Sequence, residues 1–347
     1  MSFDAESLVV EFKEVRESYL SFCKTLTGLV DRLLLVNGIA VHSIGYRCKT
    51  VESFASKVDR KGSYKSLGDI TDLAGIRIIT LFSEDVDVVA QLIEKEFLID
   101  RDNSIDKRAA IDPDRFGYLS LHYVASLNDF RSSLQEYAGF GGFKVEIQIR
   151  SILQHTWAEI EHDIGYKSVV EVPRHIRRRF SRLAGLLELA DQEFIGIRNE
   201  LDSYALQVEG QMKTGAQDIL VDKITLSNYV GTNEVCMRLD DSIAKLRGVP
   251  LTEYAGFARN ISSLESVGVN TIAMLDQCMR EHESDVLRRA EDAALNATDT
   301  VNNIARGRAV FFLVQVMVAS SKDREFIRDY VRSNKWSESF VEYLMDF

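Results

Sequence analysis

The N-terminal hydrophobic pattern predicts helices on either side of one buried strand. Apolar side chains recur every three or four residues over 4–36, which is the spacing of one helix face. A shorter helical pattern covers 50–61, and the apolar run GIRIITLF at 75–82 is typical of a buried strand. Ser83 is a candidate N-cap for a further helix that ends near Phe97.

Two more strands and a helix are predicted after a polar stretch. Residues 98–117 are polar and contain Pro113, so we interpret them as a loop. The segments 119–127 and 144–150 alternate apolar and polar side chains, which predicts strands with one buried face. A long helix is expected over 151–167, so helices and strands alternate throughout this region.

The rest of the chain has a helical pattern. Pro173 separates the preceding helix from another that runs to about Val208, and 209–215 (EGQMKTG) is interpreted as a linker. We therefore predict an α+β domain over 1–208, with a small mixed β-sheet flanked by helices. A mostly α-helical accessory or regulatory domain is predicted over 216–347.

Composition and charge limit the classes of function. The 347-residue chain has a net charge of -11 and a pI near 5.2, which argues against a generic nucleic-acid binder. The four cysteines are far apart and form no C-x-x-C pair, so a reduced cytoplasm is expected rather than a disulfide framework. The N-terminus does not resemble a signal peptide, and the longest apolar run, 309–319, is too short to span a membrane. We expect a cytoplasmic protein without a membrane partner.

Basic residues cluster before the first predicted strand. Arg47, Lys49, Lys57, Arg60 and Lys61 lie within fifteen residues. Lys57 and Lys61 are four residues apart on a predicted helix and can face one ligand. The cluster suits nucleotide phosphates, although alone it is more often a solvated basic face.

Polar side chains also mark the predicted strands. Asp72 precedes the strand that carries Arg77, and an acid beside an arginine can hold a metal–phosphate complex. On the strand at 144–150, alternation places Glu146, Gln148 and Arg150 on one face. Such a face either lines a site, where its polar groups are bonded, or is open to water.

The segment 116–122 (FGYLSLH) adds a candidate for base recognition. Tyr118 and His122 are four residues apart in an extended segment, so their side chains point the same way. Tyr118 offers a ring on which a base could stack, and the alternative is that both side chains pack in the core.

Five motifs in this order resemble the RelA/SpoT nucleotidyl synthetase domain, and in particular the small alarmone synthetases. They are YRCK, DITDLAGIR, GYLSLH, VEIQIR and HTWAEIEHDIGYK, within residues 46–167. The resemblance implies a nucleotidyltransferase-like fold. It also implies transfer of the β,γ-diphosphate of ATP to the 3′-hydroxyl of GDP or GTP, which makes (p)ppGpp and releases AMP. Mg²⁺ is the implied cofactor.

The resemblance also implies roles for individual residues. Those implied to bind ATP are Arg47, Lys49, Lys57, Arg60 and Arg77, with Arg47 and Arg77 on either side of the adenine. Asp72 and Glu146 would bind Mg²⁺ and, with Arg77, form the catalytic set, and Glu146 would also receive the proton of the attacking hydroxyl. Those implied to bind the acceptor are Arg115, Tyr118, His122, Gln148 and Arg150.

Two features set this chain apart from the family. Family members typically carry a lysine or arginine four residues before the stacking tyrosine, where this chain has Asp114. Either Arg115 takes that role or the acceptor differs. Residues 1–45 hold a single histidine, His42, so we expect neither the family's upstream hydrolase domain nor hydrolysis of the product.

Three other interpretations remain open. Glu159 and His162 form an E-x-x-H, but a di-iron bundle needs two such motifs and we find one. Arg174, Arg178 and Arg182 form a helical stripe that suits a tRNA backbone, as in toxic relatives that modify the tRNA 3′ end, or is simply solvated. A degenerate domain that only binds nucleotides is the third. ATP and GDP or GTP are thus the expected partners, with tRNA and a homo-oligomer as alternatives.

Overall fold

The chain divides into two compact units, Met1–Asn199 and Glu200–Phe347, each with its own hydrophobic core. The computed structural model describes residues 5–61, 64–106, 120–163, 173–213, 219–254, 256–296 and 301–347.

The first unit contains a mixed sheet and its flanking helices. Its elements are α1 (Ala5–Val36), β1 (Ser43–Cys48), α2 (Val51–Lys61), a 3₁₀ turn (Leu67–Asp69), β2 (Ala74–Thr80), α3 (Asp85–Glu96), β3 (Phe97–Asp106), β4 (Leu121–Leu127), α4 (Asp129–Ser132), a second 3₁₀ turn (Ala138–Phe140), β5 (Val145–Ser151), α5 (Ile152–Glu161) and α6 (Arg174–Lys213), which continues into the second unit.

The five strands are arranged in the order β1-β2-β5-β4-β3. β2 and β5 pair in parallel, and the other neighbours are antiparallel. Alternate side chains of β2 and β5, such as Ile76 and Ile147, are fully buried in a core that includes Phe12 and Phe22 of α1. Since strand side chains alternate between faces, the polar positions of these strands lie on the opposite face. The predicted α+β class with a small mixed sheet is confirmed.

The prediction of a loop over 98–117 is wrong for the part that the structure describes. β3 extends to Asp106 and pairs with β4, with a shift of register between Asp100 and Ile105. β3 is an edge strand whose side chains are largely exposed, so the apolar alternation of a buried strand is missing. Its polar groups are bonded instead, as in the ion pair of 2.7 Å between Asp100 Oδ2 and Lys144 Nζ.

The predicted linker also differs from the structure. α6 continues to Lys213, so residues 209–213 are helical, and the division between the units falls earlier, after Asn199. A single glycine such as Gly210 costs a helix only about 1 kcal/mol relative to alanine, and does not end it. Met212, in the same segment, packs against the core of the second unit.

The second unit is almost entirely helical. Its elements are α7 (Lys223–Thr232), α8 (Glu234–Arg247), β6 (Leu251–Thr252), α9 (Phe257–Ser266), α10 (Ile272–Glu281), α11 (Glu283–Leu295), β7 (Ile304–Ala305), α12 (Arg308–Ser320), α13 (Arg324–Ser333) and α14 (Ser339–Asp346). The apolar run at 309–319 forms most of α12, a largely buried helix. Among the described residues, no helix has the length and apolar character needed to cross a membrane.

Candidate active site

Four neighbouring strands present polar side chains on the sheet face opposite the core. Cross-strand neighbours lie on the same face, so the strand register defines two rows. One row contains Arg47, Gly75 and Glu146. The other contains Gly45, Arg77, Gln148 and His122. Gly45 and Gln148, which are 103 positions apart in sequence, therefore lie on one surface, as the predicted site requires.

A cavity of about 320 Å³ lies on this face, within the size range of small-molecule sites. Its polar lining consists of Ser43, Arg47, Lys49, Asp72, Arg77, Glu146, Gln148 and His155. Gly45 and Gly75 also line it and project no side chain into it. The cavity therefore combines cations, two carboxylates and an open floor.

Asp72 is held by two lysines. Lys49 Nζ lies 2.6 Å from Asp72 Oδ2, and Lys57 Nζ lies 2.7 Å from Asp72 Oδ1. Burial opposes ionisation of this carboxyl, but the hydrogen bonds and charges of the two lysines outweigh it and lower the pKa of Asp72. Lys49 follows β1 and Lys57 lies on α2, so the charge cluster joins two elements before the first buried strand.

Glu146 is paired with a histidine. His122 Nδ1 donates a hydrogen bond of 2.8 Å to Glu146 Oε1, from the neighbouring strand. Burial raises the pKa of Glu146 and the nearby Asp72 charge adds to this, yet the hydrogen bond and charge of His122 lower it overall. Both carboxylates of the cavity are therefore ionised at neutral pH.

A third charge cluster connects the sheet face to α5. Glu159 Oε1 accepts hydrogen bonds from Arg77 Nη1 at 2.9 Å and from Arg150 Nη2 at 3.2 Å. Arg150 also donates to His155 Nδ1 at 2.7 Å. Burial and the charge of Arg150 lower the pKa of His155, which keeps the imidazole neutral and able to accept.

Sequence reasoning gave Glu159 no part in the nucleotide site, although it joins two of the predicted site residues. The available signal was the four-residue spacing of His155 and Glu159 on α5, directly after the strand that carries Arg150. In the part of the chain that the structure describes, no group of three or more histidine, cysteine or acidic side chains is placed to hold a metal ion.

The structure places the remaining predicted residues in different ways. Arg60 is exposed on α2 and does not line the cavity. Arg150 is buried beneath its contacts with α5 and lines a separate cavity. Arg115 and Tyr118 lie outside the described residues. His122 and Gln148 are thus the predicted acceptor residues that the structure places in the polar rows.

Comparisons with known proteins agree with the motifs. Residues 46–171 match the family described as "Region found in RelA / SpoT proteins". The GTP pyrophosphokinase YwaC of Bacillus subtilis is 33% identical over 162 residues, which are 45% of this chain and 73% of that protein. The GTP pyrophosphokinase YjbM of the same organism is 31% identical over 159 residues, 45% of this chain and 71% of that protein.

This chain is also similar to a solved structure. The crystal structure of the small alarmone synthetase 1 from Bacillus subtilis is 26% identical, with a TM-score of 0.47. The match covers 56% of this chain and 98% of that chain.

Proposed function

Because this chain belongs to the RelA/SpoT family of (p)ppGpp synthetases, we propose that it transfers the β,γ-diphosphate of ATP to the 3′-hydroxyl of GDP or GTP. The observation that carries the proposal is the meeting of Asp72, Glu146, Lys49 and Arg77 around one cavity on the sheet face. Phosphoryl-type transfer depends on positioning and on charge stabilisation, and these side chains supply both.

ATP binding is assigned to the cations of the cavity. Arg47 and Arg77 come from neighbouring strands on the same sheet face, which suits stacking on the two sides of adenine. In the structure, Lys49 and Lys57 pair with Asp72. The ATP phosphates carry more negative charge than this carboxylate and would compete with it for the two lysines. Arg60 would then act at the rim of the site, or as part of a solvated face.

The two carboxylates fit a magnesium ion. Mg²⁺ is usually held by one or two protein carboxylates together with substrate phosphates and water, and both Asp72 and Glu146 are kept ionised in the cavity. When bound, the ion would neutralise charge that develops on the transferred diphosphate. The lysines must leave Asp72 for this, which couples metal binding to the arrival of ATP phosphates.

The acceptor hydroxyl is assigned to the side of Glu146. Its oxygen forms a bond to the β-phosphorus of ATP, the bond from that phosphorus to the α,β-bridging oxygen breaks, and AMP leaves. The hydroxyl proton passes to Glu146 and then to water. The low pKa of Glu146 suits it better to orienting the hydroxyl and binding the metal than to storing a proton. His122 and Gln148, beside it in the register, would orient the acceptor.

A tRNA acceptor is the second candidate. Arg174, Arg178 and Arg182 are exposed on α6, at the spacing that the sequence indicates. If they hold an RNA backbone, charge reversal at all three should abolish transfer and reduce the salt dependence of binding. If the acceptor is a free nucleotide, the triple reversal should leave transfer within about twofold of the unmodified protein.

One assay separates these functions. The protein is incubated with γ-labelled ATP and Mg²⁺ together with GDP, GTP, AMP or deacylated tRNA, and the labelled products are separated. The proposal expects label on GDP or GTP, and label on tRNA alone would establish the second candidate instead. Nucleotide binding without label on any acceptor would support a degenerate domain.

A further inference from the structure

The second unit contains a larger cavity than the candidate active site. It measures about 820 Å³ and is formed mainly by α8, α11, α12 and α14. Its aromatic lining consists of Phe311, Phe312, Trp336, Phe340 and Tyr343. The volume lies within the range of cavities that bind small molecules. Nothing in the proposed transfer reaction uses this cavity.

Arg289 of α11 lies in its wall and is only 7% exposed. Its guanidinium carbon lies 5.5, 5.3 and 5.0 Å from the ring centroids of Phe312, Phe340 and Tyr343. Within the part of the chain that the structure describes, it forms no ion pair, and its Nε has no hydrogen-bond partner. Burial accordingly lowers the pKa of this arginine. The charge of Asp292 and a hydrogen bond to Tyr343 offset this effect only in part. A largely buried guanidinium whose Nε has no described partner favours the binding of an anion, because an anion would offset more of its desolvation cost.

Gln315 provides a second, independent signal. It is 1% exposed in the middle of α12, where its neighbours are apolar, and it lines the same cavity. Its Oε1 has no hydrogen-bond partner among the described residues. An unsatisfied buried amide oxygen is destabilising, and a ligand with a hydrogen-bond donor on its edge would offset this cost.

The charges around the cavity favour an anion. Arg247, Arg308 and Lys335 line it together with Arg289, and Asp292 is its acidic residue. The Asp292 carboxylate already accepts a hydrogen bond of 2.8 Å from the Tyr343 hydroxyl. Among the described residues, the cavity lining therefore contains four basic side chains and one carboxylate, in a chain whose net charge is -11.

We propose that this cavity is a binding site for a nucleoside phosphate, separate from the synthetase site. The phosphate would accept hydrogen bonds from Arg289 and the other cations, because a guanidinium matches phosphate geometry. The base would stack on the aromatic side chains, and a donor on its edge would satisfy Gln315 Oε1. A simple inorganic anion would leave the rings and the amide unused, and an uncharged nucleoside would leave Arg289 unpaired.

Tryptophan fluorescence can test this in the full-length protein. The chain has two tryptophans, so a Trp157→Phe background leaves Trp336, at the cavity wall, as the sole reporter. AMP, GMP, guanosine and inorganic phosphate are titrated separately. The proposal expects saturable quenching by AMP or GMP, with clearly weaker binding of guanosine and phosphate.

Two substitutions locate the site. Arg289→Met should weaken nucleotide binding by about tenfold or more, because it removes charged hydrogen bonds while keeping an apolar side chain of similar length. Arg332→Met, at an exposed position of α13 outside the cavity, is the matched control and should bind as the reporter protein does. Removing a largely buried charge that forms no ion pair with a described residue should leave the melting temperature equal or higher.

If Arg289→Met does not fold, Gln315→Leu replaces it. This variant removes the amide but keeps the volume, and should weaken nucleotide binding several-fold while the protein remains folded. The proposal is overturned if neither AMP nor GMP quenches Trp336 saturably up to millimolar concentrations. It is also overturned if guanosine or phosphate binds as tightly as the nucleotide, or if the folded cavity variants bind like Arg332→Met.

Discussion

Lys49, Lys57 and Arg77 of the first unit and Arg289 of the second differ in how their charges are compensated. In the first unit, Lys49 and Lys57 both contact Asp72, and Arg77 contacts Glu159. In the second unit, Arg289 lies among three aromatic rings and forms no direct ion pair with a described carboxylate, and the charge of Asp292 acts on it from a distance. The lysines of the first unit are therefore paired directly with a carboxylate, whereas Arg289 is compensated only partly, by the charge of Asp292 and a hydrogen bond to Tyr343.

The contrast indicates two ways to prepare a site for phosphates. Neutralised cations cost little in the absence of ligand, but they must exchange one anion for another when ATP binds. A buried cation without an ion pair lowers the stability of the protein when no ligand is bound, and the binding of an anion restores that stability. The first arrangement suits a turnover cycle in which charges are exchanged, and the second suits retention of a ligand.

The largest expected effect concerns the carboxylates of the first cavity. Asp72→Ala and Glu146→Ala should each reduce diphosphate transfer by about 10²–10³-fold or more, because charge stabilisation in the transition state is lost. Initial rates with saturating ATP measure this, and circular dichroism checks the fold. Asp59→Ala, at an exposed position of α2, is the matched control. Turnover by either variant at the control rate would remove the proposed mechanism.

The next effect concerns the floor of that cavity. Gly45→Val should raise the KM for ATP by about tenfold, because its side chain would occupy the space between Arg47 and Arg77. A Cβ at Gly45 meets no atom within 4 Å, and valine favours strands, so the fold should be retained. Steady-state kinetics measure KM, and Gly28→Ala on α1, which also meets nothing within 4 Å, is the control. An unchanged KM for ATP would place the nucleotide elsewhere.

Much of this first cavity follows from sequence. The alternation of VEIQIR predicts that Glu146 and Gln148 lie on one face of a strand. The motifs shared with the family add Asp72 and Arg77 to the predicted site. The partner of Arg77 could not be predicted, because contact with Glu159 depends on how α5 returns over the sheet. β3 was not predicted because it is an edge strand with largely exposed side chains, so its sequence lacks the alternation of apolar and polar residues that marks a strand with one buried face.

The second cavity shows the opposite limit of sequence reasoning. Gln315 within an apolar run was a visible signal of an unusual buried position. The burial of Arg289 could not be seen in the sequence, because its segment LRRAEDAAL is typical of an amphipathic helix with a charged outer face. Only the packing of α11 against α12 and α14 shows that this arginine is buried.

A pH measurement tests the pairing of Glu146 with His122. The folded-state pKa of Glu146 is lower than that of an unperturbed carboxyl. The stability contributed by its ionised form is therefore fully present at pH values above the ordinary carboxyl pKa, and it is lost as the pH falls through the lowered pKa. In His122→Phe, burial remains and the compensating bond is gone, so the pKa of Glu146 should rise. The acid limb of kcat/KM should then move to higher pH.

The control for that measurement is a histidine outside the site. His175→Phe, at an exposed position of α6, should leave the acid limb where it is in the unmodified protein. An unshifted limb in His122→Phe would mean that Glu146 ionisation does not govern activity.

The smallest expected effect is on protein stability, where substitutions of Lys57 and Arg289 should differ in sign. Lys57→Met should lower the free energy of unfolding by about 1 kcal/mol, because Asp72 loses one of its two partners in a partly buried pair. Arg289→Met should leave the free energy of unfolding unchanged or raise it, because the desolvation cost of a largely buried and only partly compensated charge is removed. Urea denaturation without nucleotide measures both. Equal losses in the two variants would erase the contrast between the cavities.

The identity of the transferred group tests the central claim most directly. With α-labelled ATP, Mg²⁺ and GDP or GTP, the label should appear in AMP, with one AMP formed for each acceptor modified. Asp72→Ala should form no AMP above background. Label in ADP, with a single phosphate on the acceptor, would contradict diphosphate transfer at this site.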